Sequence, residues 1–163
     1  MFFSSCAVVY THSPRYRRVK MIEQPLVSQI SRTSHPLEEK KGKLPWPVSG
    51  EVVGRFGVQV DPKYGTKTKN LGIDIATKEG SVVRTIGVGR VSYADVFIGQ
   101  GIMVIVEHGG GFYSVYSRLK ELRVKSGDNV NSGDIVGLSG NVVHFELRIG
   151  GKAVDPLEWL ERR

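Results

Sequence analysis

The chain has 163 residues, a single cysteine (Cys6), and 23 Lys plus Arg against 16 Asp plus Glu, a formal net charge of +7. That length suits about one domain with one real hydrophobic core. A lone cysteine excludes an intrachain disulfide and any cysteine-built zinc site, and with no apolar run of about 18 residues no transmembrane segment is expected.

In chain order, the opening MFFSSCAVVY is apolar but short and lacks a basic lead, a poor fit to a signal peptide. Residues 1–43 hold eight Lys or Arg against three acids, whereas the other 120 residues hold 15 against 13. The excess charge therefore sits ahead of a nearly balanced body, which is not the footprint of a folded nucleic-acid binder, and no nucleic-acid partner is expected. Residues 1–43 show neither a period of 2 nor of 3.6, and Pro25 and Pro36 interrupt them. They are expected to form a poorly ordered basic tail or linker, with the folded domain spanning 44–163. Pro45 and Pro47 bracket Trp46 and hold the start of that domain extended.

From Gly50 onward, short β-rich runs alternate with glycine: EVVGRFG, GIDIA, GRVSYADVF, IMVIVEH, FYSVYSRL and VVHFELRIGG. Turn signals recur roughly every 8–12 residues, so the fold class is all-β, an antiparallel sheet or sandwich. IMVIVE is apolar on both parities and reads as a central strand covered on both faces. The end, DPLEWLERR, is the one expected helix, short, with Asp155 as N-cap and Pro156 at its first position.

Four histidines are present, and His12 and His35 fall in the leading segment. Of the two in the body, His144 sits in the alternating run VVHFEL, which sends Val143, Phe145 and Leu147 to one face and His144 and Glu146 to the other. Asp74 occupies a similar run, GIDIA. Zinc takes about three protein ligands in a catalytic site or four in a structural one; Asp74 and His144 supply two. His108, before Gly109, fits a structural strand end, and Trp46 and Trp159 fit packing residues.

At these residues the chain resembles the LytM-type, M23 (lysostaphin-like) zinc endopeptidases of peptidoglycan. NLGIDIATKEGSVVRTIGVGRVSYAD, GIMVIVEHGGGFYSVYSRL, VKSGDNVNSGDIVGLSG and HFELRIGGKAVDPLEWL run in that family's order over about residues 44–163. The resemblance implies a glycine-rich antiparallel β domain of duplicated-hybrid-motif type, with a long groove over the sheet. It also implies an active site built from H-x-G-x-D, Y-x-H and H-x-H. Here the first motif reads Asn70-Leu71-Gly72-Ile73-Asp74, the second Tyr116-Ser117-Arg118 and the third Val142-Val143-His144. The remnant metal-ligand positions are thus Asn70, Asp74 and His144, and the degenerate catalytic positions are Arg118 and Val142.

These replacements carry physical consequences. An Asn amide is a poor substitute for imidazole on zinc. Arg118 adds a cation that repels a metal and seeks Asp74 or Glu146 as a partner. Val142 cannot donate to an oxyanion, a loss worth about 10²–10³ in rate. Asp74 and His144 are left either to bond each other across adjacent strands or to form a residual metal site. The loop before His144 is short by family standards, so one groove wall is expected to be reduced. Gly72 is expected to allow a close backbone approach, while Ile73 and Ile75 enter the core.

The expectation is a non-enzymatic domain with no cofactor, similar to the degenerate LytM domains of murein hydrolase activators of the EnvC type. Such domains act in the cell envelope on cell-wall amidases during division. An amidase or another envelope protein, or peptidoglycan itself, would meet a groove of Asn70, Asp74, Tyr116, Arg118, His144 and Glu146. Tyr113 and Tyr116 lie on opposite strand faces, so only one of them can line it. Activators of this kind carry an upstream coiled coil, and no heptads are seen in this sequence. Two alternatives stand: a zinc endopeptidase cutting peptidoglycan cross-links, and a wall- or partner-binding scaffold without a switching role.

Overall fold

The computed structural model describes residues 35–163. The expected tail over residues 1–34, with Cys6 and His12, lies outside the described residues. The strands are β1 (Glu51–Gly54), β2 (Gly57–Val60), β3 (Lys67–Asn70), β4 (Ile73–Ala76), β5 (Val82–Arg84), β6 (Gly89–Phe97), β7 (Gly101–Gly109), β8 (Phe112–Leu122), β9 (Asn129–Val130), β10 (Ile135–Ile149) and β11 (Lys152–Val154). One large antiparallel sheet runs in the order β1-β4-β10-β8-β7-β6-β9, with β5 and β11 also pairing with β10. The pair β2–β3 forms a separate two-stranded ribbon. The all-β expectation holds.

The alternation seen in the sequence divides the sheet into an inner and an outer face. Val104 and Val106 of β7, Tyr116 of β8 and Val143 and Phe145 of β10 are fully buried on the inner face, with Leu147 close behind. There they pack with Ile73, Ile75, Val83, Val136 and Trp159 into one core. Gly72 meets its expected role: a Cβ at that position would overlap the Phe145 carbonyl oxygen. The double covering expected for β7 holds on one face only. Ile105 is half-buried on the outer face, where it and Met103 line a groove.

Two expectations are corrected. The domain does not begin at residue 44. Residues 35–43 turn back onto the sheet, Leu37 is 5 % exposed within the core, and the His35 ring stacks on Phe112 with centroids 4.4 Å apart. One anchoring leucine leaves no periodic signal, so that attachment is silent in the sequence. The C-terminal helix is also absent. Asp155 does cap, its Oδ1 accepting from the Leu157 N–H at 2.9 Å, but a single 3-10 turn, Pro156–Glu158, follows. The Trp159 carbonyl accepts from the Gly42 and Leu44 N–H groups, and the Glu161 N–H donates to the Leu44 carbonyl. Pairing with the incoming chain thus takes the backbone groups a helix would use, and it buries Trp159 and Leu160.

Candidate functional site

The candidate site lies on the outer face where β3, β4, β8 and β10 meet. Asn70 ends β3, and Asp74 lies within β4. The β10–β4 register sets His144 directly opposite Asp74. Cross-strand neighbours on one face are close enough for short side chains to touch, and His144 Nδ1 lies 2.9 Å from Asp74 Oδ1. The Arg118 Nη1 donates to the same oxygen at 2.9 Å, and the Asn70 amide nitrogen donates to Asp74 Oδ2 at 2.9 Å. The orientation of that amide is set by its oxygen, which accepts from the Gly72 N–H at 3.0 Å. Asp74 is therefore a hub on which three side-chain donors converge.

The network continues along β10. His144 Nε2 lies 3.2 Å from Glu146 Oε1, and Glu146 Oε2 accepts from Arg148 Nε at 2.8 Å and Nη2 at 2.7 Å. Basic and acidic side chains alternate from Arg118 through Asp74, His144 and Glu146 to Arg148. Burial by itself would lower the His144 pKa, but hydrogen bonds to Glu146 and Asp74, aided by their charges, hold it above the ordinary histidine value. A carboxylate therefore stands at each ring nitrogen, an arrangement that favours the protonated ring. Burial would raise Glu146; bonds from His144 and Arg148 outweigh it and hold its carboxyl below the usual value.

Five of the six groove residues expected from the sequence, Asn70, Asp74, Arg118, His144 and Glu146, line one polar cavity of about 310 Å³. Tyr116 does not, and this is a correction. It is fully buried on the inner face, with its hydroxyl accepting from the Ile86 N–H at 3.0 Å. Tyr116 and Arg118 are two apart and would share a face on a regular strand. Between Ile102↔Leu119 and Val104↔Tyr116, however, β8 carries one more residue than β7. This bulge has Arg118 at φ 60°, and it turns the guanidinium outward. Val142 stands outside the cluster, opposite Ala76.

Sequence reasoning missed Arg148, although it continues the His144–Glu146 alternation. It also missed the apolar groove of about 480 Å³ beside the cluster, lined by Leu71, Phe97, Met103, Ile105, Tyr113 and Val115. Leu71, Gln100 and Glu146 line both cavities. At the β6–β7 tip, Val96, Phe97 and Ile98 project into solvent, Ile98 almost entirely exposed. The strand-end role expected for His108 matches its contacts on the inner face. Its Nδ1 donates to the Val88 carbonyl at 2.7 Å, and Nε2 lies 2.7 Å from the Ser114 hydroxyl. Burial lowers its pKa, so this ring is neutral.

A zinc site needs unprotonated nitrogen and free carboxylate lone pairs converging on a cation. Here the Asn70 amide and the Arg118 guanidinium present N–H groups to Asp74, and Asp74 and Glu146 close against the two ring nitrogens of His144. These residues do not fit a zinc ion.

A glycine-rich antiparallel domain with a groove beside Asp74 and His144 has the architecture of the lysostaphin-like peptidases. The family description "Peptidase family M23" matches residues 68–156, and the chain belongs to that family. It is 37% identical over 142 residues to the murein hydrolase activator EnvC of Escherichia coli, covering 83% of this chain and 33% of that protein. It is 36% identical over 129 residues to a lipoprotein NlpD/LppB homolog of Pseudomonas aeruginosa, covering 75% of this chain and 41% of that one. The chain thus spans well under half the length of these relatives. Among solved structures, the SpoIIQ–SpoIIIAH pore-forming complex gives a TM-score of 0.64 at 29% identity, over 74% of this chain and 92% of the matched one. A zinc-containing peptidase from Vibrio cholerae gives 0.67 at 23% identity, over 75% and 41%, a likeness of fold alone.

Proposed function

We propose that this is a catalytically inert M23 domain, working without zinc in the cell envelope, that regulates cell-wall amidases during peptidoglycan remodelling and division. The observation that carries the reading is the state of Asp74: its oxygens are taken by Asn70, Arg118 and His144, so the centre offers N–H donors where hydrolysis needs a metal-bound water. What stays available on that face is a surface. A partner segment would set apolar side chains against Phe97, Met103 and Val115, and its polar groups would meet Arg118 and Arg148. Apolar area removed from water there is worth about 25 cal/mol per Å² before the costs of association. Similarity to the activator EnvC and to the NlpD/LppB homolog supports an amidase as the partner.

The test is dye release from labelled peptidoglycan with a cognate amidase. The protein alone is expected to release none, and micromolar protein is expected to stimulate the amidase. Phe97→Asp, at a half-exposed position, is expected to cut stimulation at least tenfold without unfolding the domain. EDTA-sensitive release by the protein alone would instead establish the zinc endopeptidase. Pelleting with purified sacculi without any effect on amidases would establish the scaffold.

A further inference from the structure

Against the ligand set that the M23 resemblance implies, the centre lacks one imidazole, which Asn70→His would restore beside Asp74 and His144. A missing imidazole alone is thus a shallow barrier to zinc. We propose that Arg118 supplies a second and stronger one: its guanidinium is a built-in cation that takes the charge position of a metal at Asp74 and bars zinc from the centre. This deepens the inert reading above and rests on it.

Three observations carry the proposal. First, Arg118 donates to Asp74 Oδ1, the same oxygen that His144 engages. A divalent ion on that carboxylate would face the guanidinium where its neighbours are sheltered, the His144 and Asp74 side chains being 8% and 18% exposed. Arg118 itself is 49% exposed, so solvent screens part of that repulsion, and the rest acts at the sheltered carboxylate. Second, the placement is built rather than incidental. Arg118 sits at φ 60°, a conformation uncommon for residues other than glycine, asparagine and aspartate. It is held there by its N–H donating to the Gln100 carbonyl at 3.0 Å, and by a β8 bulge without which it would turn to the inner face with Tyr116. Third, the polarity of the site is reversed. A metal centre points lone pairs at a cation; this one points the Asn70 amide and Arg118 guanidinium N–H groups at the two oxygens of Asp74.

The test measures zinc stoichiometry and affinity by competition with a chromophoric chelator, and zinc-dependent thermal stabilisation, without reference to activity. Wild type is expected to take up no stoichiometric zinc. Asn70→His/Arg118→Asn, whose new residue tolerates φ > 0, is expected to bind one zinc per chain at least tenfold more tightly than Asn70→His. Asn70→His/Arg118→Gln repeats that comparison at near-native side-chain length should the asparagine variant fail to fold. Asn70→His/Arg118→Lys restores the charge and is expected to fall back to the weak affinity of Asn70→His. Equal affinities, within twofold, for Asn70→His and the folded neutral double variants would overturn the proposal. So would a lysine variant that binds as tightly as the neutral ones, or folded neutral variants that bind no zinc. Stoichiometric zinc on wild type would overturn both this proposal and the inert reading, whereas failure to stimulate an amidase touches only the latter.

Discussion

Two histidines stand on opposite faces of one sheet and teach opposite lessons. His108, on the inner face, is kept neutral by burial and closes a chain of uncharged groups through Ser114 to the Tyr116 hydroxyl. His144, on the outer face, has its pKa held above the ordinary value by Asp74 and Glu146 against the effect of burial. The first arrangement is what a core requires of a polar group, namely full pairing without charge. The second gathers two arginines and two carboxylates around a histidine on a surface, a grouping that a core would never need, and one of them, Arg118, is about half exposed. Structural necessity explains the inner network; the outer one calls for a functional explanation.

The largest effect is expected at Gly72, which serves both faces: an added Cβ would overlap the Phe145 carbonyl oxygen and crowd Glu146. Gly72→Ala should cost about 3 kcal/mol, read by urea denaturation, and should erase the His144 signals in NMR spectra as well. A neutral stability change there would show that the two faces are not tied together at this turn. Tyr116→Phe tests the inner network alone. Losing the hydroxyl leaves the Ile86 N–H without its acceptor and should cost about 1–2 kcal/mol, while the ability to stimulate an amidase is retained.

The smallest effect, and the sharpest, is the pH profile. The folded-state pKa of His144 lies above 6.5, so its contribution is complete below 6.5 and is lost as pH rises through the folded value. The folded-state pKa of His108 lies below 6.5, so its contribution is complete above 6.5 and is lost as pH falls toward the folded value. Glu146 adds to the acid limb, below its ordinary 4.5. Denaturation midpoints measured from acid to alkaline pH should flatten on the alkaline side in His144→Gln and on the acid side in His108→Asn. An unchanged alkaline limb in His144→Gln would show that Asp74 and Glu146 do not raise the His144 pKa in the folded state.

Much of the outer cluster was legible because alternation is a strong signal. VVHFEL and GIDIA each announce which residues share a face, and once the strands are antiparallel neighbours the Asp74–His144 pairing follows. The attraction of Arg118 to Asp74 followed from charge alone. Tyr116 was placed in the groove because counting by twos cannot see a bulge, which is created by the mismatch between β8 and β7 and leaves no mark in either strand's composition. The helix expected at DPLEWLERR had a true cap and a true proline. It was overridden by backbone bonds to Leu44, more than a hundred residues earlier. The apolar groove was invisible for a related reason: Phe97, Met103 and Val115 come from three different strands, and only their pairing brings them together.

β10 runs for 15 residues and is laced along its length to β5, β4, β8 and β11. Its amide hydrogens should therefore be among the last to exchange with solvent. His144, Glu146 and Arg148 ride on this spine. A visiting segment thus meets a template already set in shape, and any conformational ordering that accompanies docking falls on the visitor.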